Sequence, residues 1–114
     1  MTECLFCKII SREIPADIVY ENKRILAFRD INPQAPIHIL IIPKVHIPTL
    51  NDLEIHHAKM VGELILTAKN LAEKEGIAEE GYRTGFNCNA AAGQTVWHVH
   101  LHLLGGRTFT WPPG

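Results

Sequence analysis

Three histidines alternate with apolar residues in His98-Val99-His100-Leu101-His102 and run on into Leu103-Leu104. Strand side chains point to opposite faces in turn. A strand over these residues therefore presents all three imidazoles on one side and Val99, Leu101 and Leu103 on the other. The apolar side demands burial. The opposite side carries a row of groups that titrate near neutral pH and can act as nucleophile, acid, base or metal ligand. The chain has only seven histidines, so three within five residues mark this strand as the seat of function.

The rest of the chain supplies a modest frame for that strand. Its 114 residues, 46% hydrophobic and 20% charged, suit one small domain over 1–114 with a single core. A net charge of −1 gives no electrostatic case for nucleic-acid or anionic-membrane binding. The longest apolar run, Ile37 to Ile42, is interrupted by His38 and is too short to span a bilayer. Met1-Thr2-Glu3-Cys4 lacks the basic start and long apolar stretch of a signal peptide, and three cysteines are an odd count. Reduced thiols in a cytoplasmic protein are the expectation.

Cys4 to Ile10 reads as a short helix or turn, followed by a break at Ile14-Pro15. Ile18 to Glu21 and Ile25 to Arg29 read as two short strands around Asn22-Lys23-Arg24. Asp30 to Pro36, with two prolines, is a loop. Ile37 to Ile42 is a central strand, apolar on both faces except for His38, and Pro43 ends it.

Asn51 to Gly76 is the one long helix. Asn51 and Glu54 have capping-box spacing, and Gly76 suits a left-handed stop. Val61, Leu64, Ile65, Ala68, Leu71 and Ala72 form its buried stripe, whereas Glu63, Lys69, Glu73 and Lys74 face solvent. Tyr82 to Asn87 and Trp97 to Leu104 are the last strands, joined by a loop over Cys88 to Val96. Strands, one helix, then strands again predict an α+β fold, an antiparallel sheet with a helix on one face. Trp111-Pro112-Pro113-Gly114 is an extended tail whose tryptophan needs a surface, and a second subunit is one such surface.

Two further constellations carry chemistry. Gly93-Gln94-Thr95 is a turn with a hydroxyl and backbone N–H groups, able to cradle an anion just before the histidines. Cys4-x-x-Cys7 is half of a tetrahedral zinc site, with histidines left to supply the other half. Unligated thiols or a redox pair are the alternatives. Cys88 reads as a small buried residue, and His56 and His57 as surface residues.

The pattern His98-Val99-His100-Leu101-His102-Leu103-Leu104 resembles the signature of the histidine triad (HIT) family. The resemblance extends over Ile14-Pro15-Ala16, Asp30 to Pro36, His38, Ile42-Pro43-Lys44, Gly105-Gly106-Arg107 and Trp111 to Gly114. It looks closest to the branch of nucleotide-binding members that hydrolyse purine nucleoside phosphoramidates. That resemblance implies a five-stranded antiparallel sheet with one long helix and a short N-terminal helix, dimerising through its sheets. It implies a purine nucleotide substrate (AMP or GMP as product), a homodimer, and no cofactor for catalysis.

It also implies residue roles. His100 would be the nucleophile that forms a covalent nucleotidyl-histidine. His102 and His38 would serve the phosphate and the surroundings of His100, while Thr95 would assist the departing amine. Asn87 and the Gly93 N–H would complete the phosphate cradle. Asp30 would accept from the ribose hydroxyls, with Leu5, Phe6, Ile9, Phe28 and Ile31 around the base. A structural zinc would sit on Cys4, Cys7, His46 and His98. Thr95 stands where the family often has serine, so a changed rate with the same role is expected. Cys88 to Ala92 departs from the more acidic, glycine-rich loop of this branch, which bears on the leaving-group side. Cleavage of dinucleoside polyphosphates, nucleotidyl transfer, or a zinc-stabilised regulatory dimer that binds nucleotides are the alternative readings.

Overall fold

Five strands form one antiparallel sheet in the order β1-β2-β3-β5-β4: β1 Ile18–Glu21, β2 Ile25–Arg29, β3 Ile37–Pro43, β4 Tyr82–Gly85 and β5 Leu101–Gly105. The computed structural model describes residues 3–114. Met1 and Thr2, part of the N-terminal reading above, lie outside the described residues. Both edges of the sheet are short strands, β1 and β4, and β2, β3 and β5 lie inside.

Residue alternation in the central strands decides what covers each face. Ile25 and Ala27 of β2, Ile39 and Ile41 of β3, and Leu101 and Leu103 of β5 pack with α2 (Ala58–Lys74) through Leu64, Ala68, Leu71 and Ala72. Leu26, Phe28, Leu40 and Ile42 point the other way, against Phe6 and Ile9 of α1 (Leu5–Ile10). Both faces of β2 and β3 are therefore covered, which explains why these strands read as nearly continuous apolar runs. Each fully buried leucine or isoleucine in these layers contributes about 1.5–3 kcal/mol relative to exposure. Among the described residues, no helix is long and apolar enough to cross a membrane.

The boundaries of β1, β2 and α1 match expectation, with Cys4 as the N-cap of α1. The long helix differs. It spans Ala58–Lys74, not Asn51 to Gly76, and two single 3-10 turns, Leu50–Asp52 and Ile55–His57, precede it. The capping box belongs to Thr49 and Asp52: the Asn51 N–H donates to Thr49 Oγ1 at 3.1 Å, and the Thr49 N–H donates to Asp52 Oδ2 at 3.1 Å. A box closed two residues early starts a separate turn, and the helix proper begins only after a second one. Gly76 does end the helix region, at φ +77°.

Ile65, expected in the buried stripe, is 49% exposed, because the contact with the sheet runs along Leu64, Thr67, Ala68, Leu71 and Ala72. Val61 is half-buried. Glu63, expected in solvent, is held by Arg24, whose Nε and Nη2 donate to its two oxygens at 2.8 Å each.

The last strands are shorter or shifted relative to Tyr82 to Asn87 and Trp97 to Leu104. The β3–β5 register pairs Ile41 with Leu101, so Val99 falls opposite Pro43. Proline has no N–H to offer a ladder, and pairing stops there. The Val99 N–H donates instead to the Ile47 carbonyl at 2.7 Å. β4 ends at Gly85 because the following loop is pinned by buried Gln94. Its Oε1 accepts from the Asn89 N–H at 2.8 Å, and its Nε2 donates to the Pro48 carbonyl at 2.8 Å. Cys88 in this loop is half-buried, not buried.

Candidate active site

The alternation at 98–104 does what it requires, although the hydrogen-bonded ladder starts only at Leu101. Val99, Leu101 and Leu103 enter the α2 layer. The three imidazoles line up on the α1 face, where His100 and His102 have ring centroids 5.0 Å apart. The Phe6 ring of α1 stands edge-on to His100 at 5.0 Å and to His98 at 5.9 Å. His38 joins from β3, which pairs directly with β5; its ring lies 5.2 Å from that of His102.

The tautomers follow from the partners. The Gln34 N–H donates to His38 Nδ1 at 3.0 Å, so the His38 proton sits on Nε2. That Nε2–H donates to His102 Nδ1 at 2.9 Å, which leaves the His102 proton on Nε2. His102 Nε2 is the one buried side-chain polar atom without a hydrogen-bond partner among the described residues. A buried donor left free in this way is an offer to a ligand. His100 Nδ1–H donates to the His98 carbonyl at 2.7 Å, so its Nε2 carries a lone pair. His98 Nε2–H donates to the Pro43 carbonyl at 2.8 Å, leaving its Nδ1 lone pair free. Asp30 Oδ2 lies 3.5 Å from His38 Nε2.

Burial keeps these rings neutral. It pushes His102 down to about 4, with His100 and His38 adding repulsion and Asp30 opposing. His98 is also pushed down to about 4 by burial, against the opposing hydrogen bond to Pro43. His38 and His100 are lowered by the same cause. Neutral imidazoles are the form that can attack phosphorus or ligate a metal.

A second cluster adjoins the first. His98 Nδ1 lies 3.4 Å from Cys4 Sγ, 3.6 Å from Cys7 Sγ and 3.2 Å from His46 Nδ1, and Cys7 Sγ lies 3.4 Å from His46 Nδ1. All four donor atoms fall within 4.8 Å of one another. Tetrahedral zinc, with Zn–S about 2.3 Å and Zn–N about 2.0–2.1 Å, sets edges of about 3.3 Å between nitrogens and about 3.6 Å between nitrogen and sulfur. The cluster has these edge lengths and this donor chemistry, and it fits the metal. Burial and the neighbouring Cys4 push the Cys7 thiol up to about 11. A bound dication reverses that preference and holds the thiolate.

The remaining expected residues fall into three groups. Phe6, Ile9 and Phe28 are buried in the apolar layer against which the histidines pack. Leu5 is 42% exposed and Ile31 is 97% exposed, so neither belongs to the core, and Leu5 lies beside Cys4 and Cys7. Thr95 is exposed and, with Leu5, Val96, Trp97, Cys4 and Cys7, lines a cavity of about 760 Å³. Asn87 is exposed just beyond β4. Gly93 adopts the left-handed conformation, and its N–H donates to the Ala90 carbonyl at 3.0 Å. Sequence reasoning missed Gln94 and Gln34. Gln94 was visible only as one of three turn residues, and Gln34 acts through its backbone, which carries no sequence signal.

A family model described as HIT domain matches residues 11–109. The chain is 57% identical over 105 residues to the purine nucleoside phosphoramidase of Escherichia coli K12, covering 92% of this chain and 88% of that protein. It is 52% identical over 112 residues to a 14 kDa zinc-binding protein of Zea mays, covering 96% of this chain and 87% of that one. Among solved structures, a HIT family hydrolase from Legionella pneumophila Philadelphia 1 superposes with a TM-score of 0.97 at 58% identity, over 98% of this chain and all (100%) of that one.

Proposed function

The chain belongs to the HIT domain family, and from that premise we propose that it hydrolyses the P–N bond of purine nucleoside 5′-phosphoramidates. The observation that carries this reading is the state of His100. Its Nδ1–H is spent on the His98 carbonyl at 2.7 Å, and its Nε2 lone pair is free in a ring that burial keeps neutral. The similarity to the Escherichia coli purine nucleoside phosphoramidase supports the substrate class.

In this mechanism His100 Nε2 attacks the α-phosphorus, the P–N bond breaks, and the amine leaves with a proton delivered through the Thr95 hydroxyl, which solvent water reprotonates. Water then cleaves the nucleotidyl-histidine, releasing AMP or GMP and regenerating the neutral ring. The free His102 Nε2–H donates to a phosphoryl oxygen as charge develops on it. The Thr95 hydroxyl serves the departing amine. Asp30 accepts from the ribose hydroxyls, and Leu5 and Ile31 close over a base that rests on Phe6, Ile9 and Phe28. Asn87 completes the phosphate contacts. Histidine and neutral donors thus carry the whole displacement.

Cys4, Cys7, His46 and His98 would hold a zinc ion. Its contribution is structural: it ties the N-terminal segment and α1 to the histidine segment. The donor geometry and the zinc-binding relative from Zea mays support this. The working unit is a homodimer in which β4, an open sheet edge, meets its copy. Exposed Ile65 and Leu66 on α2 and the 81% exposed Trp111 supply apolar surface for that contact.

The test compares AMP release from adenosine 5′-phosphoramidate and from a dinucleoside polyphosphate at equal concentration. Faster release from the phosphoramidate is expected. Preference for the polyphosphate would replace the substrate class, and tight AMP binding with no release from either would make the chain a nucleotide-binding regulator.

A further inference from the structure

His98 belongs to two networks at once. Its ring points Nδ1 at the cysteines and His46, while its backbone oxygen holds the nucleophile through the His100 Nδ1–H. The peptide unit concerned, His98 C=O with Val99 N–H, lies outside the sheet ladder, since β5 pairs with β3 only from Leu101 onward. What holds this peptide instead comes from the cluster's side. Its N–H donates to the carbonyl of Ile47 at 2.7 Å, and Ile47 follows His46 directly. Its oxygen is placed by the His98 ring, fixed between the Pro43 carbonyl and the cluster. Phe6, the neighbour of Cys7 on a helix of only six residues, packs edge-on against both His98 and His100. Such a helix has no stability of its own and takes its position from what ties it down.

We propose that the Cys4-Cys7-His46-His98 cluster, when it holds a divalent metal ion, orients the His98–Val99 peptide and thereby fixes the tautomer and ring position of His100. His98 and His46 are then positioning residues for the nucleophile. This rests on His100 being the nucleophile and on the cluster holding metal. It goes beyond a structural pin, because a pin protects the folded fraction without changing how fast each folded molecule turns over. Metal loss acts here chiefly on the chemical step: kcat falls further than nucleotide affinity, since Phe28 of the purine layer sits on β2 and is held by the sheet without the cluster.

The experiment uses the full chain in three forms: zinc-loaded, chelator-stripped, and His46→Ala, a change at an exposed ligand that spares the core. His46→Cys, which restores a fourth ligand as a thiolate, is the rescue. Zinc content, AMP affinity, kcat, and the long-range proton–nitrogen spectrum of the His100 ring are measured on each. The stripped chain and His46→Ala should lose roughly tenfold or more in kcat, the scale of a disturbed supporting contact, with a smaller change in AMP affinity. Their His100 spectrum should change from one Nδ1–H form to an average of tautomers, and His46→Cys should restore both readouts. An unchanged spectrum and kcat in folded, metal-free protein would overturn the proposal, as would a wild-type chain that binds no zinc. If loaded wild type fails to turn over phosphoramidate while its spectrum still follows zinc, the functional reading falls and the coupling stands.

Discussion

His38 donates from Nε2 to His102 Nδ1 across 2.9 Å, and this contact decides which nitrogen of His102 keeps a free proton. The order of dependence runs from the Gln34 N–H, to His38, to His102 Nε2. His102→Ala removes the free donor and should lower kcat by about 10²–10³-fold. His38→Ala should cost less, because His102 can still populate the same tautomer part of the time. His38 acts only through His102, so the double variant should be no slower than His102→Ala alone. Additive losses in that cycle would separate the two roles.

The pH dependence follows from burial. His102, faced by His38 from β3, by His100 from its own segment and by Asp30, titrates at about 4 in the folded chain against an ordinary 6.5. Between those values the unfolded chain binds more protons. Stability present above 6.5 is therefore lost as pH falls toward about 4. Denaturant titrations across this window should show that slope in the wild type and a shallower one in His102→Asn. Activity should persist below the ordinary imidazole value, because His100 is lowered in the same direction. An acid limb of kcat/KM at or above 6.5 would contradict the burial argument.

Two glycines should respond with opposite signs. A Cβ on Gly105 of β5 would collide with the buried Ile77 side chain, so Gly105→Ala should destabilise by about 1–3 kcal/mol. Gly62 lies within α2 with nothing within 4 Å of the added carbon, so Gly62→Ala should stabilise by about 0.5–1 kcal/mol. Equilibrium unfolding of the two variants checks both.

The zinc assignment predicts one ion per chain in protein purified without chelator. Cys4→Ser with Cys7→Ser should remove it, since two of four ligands are lost. Unchanged metal content in that variant, by elemental analysis, would contradict the ligand set.

Much of this site was legible because strand alternation is rigid. His98, His100 and His102 had to share a face, and Val99, Leu101 and Leu103 had to enter the core. β1 and β2 were bounded correctly by polar turn residues. The helix start was misread because Asn51 and Glu54 have the right spacing, while Thr49 and Asp52 two residues earlier take the hydrogen bonds. The end of the β5 ladder depends on what stands opposite Val99, and a proline on another strand is a register fact that no local pattern holds. The exposure of Ile65 likewise depends on the angle at which α2 crosses the sheet. The tautomers of His38 and His100 rest on backbone partners, which sequence leaves unmarked.

The central claim is that His100 is the nucleophile of a phosphoramidate hydrolase. Its most direct test is AMP release from adenosine 5′-phosphoramidate by the wild type and by His100→Ala. The account predicts rapid release by the wild type and none by the variant, which should still bind AMP. A variant that retains more than a small fraction of wild-type turnover would contradict the covalent mechanism.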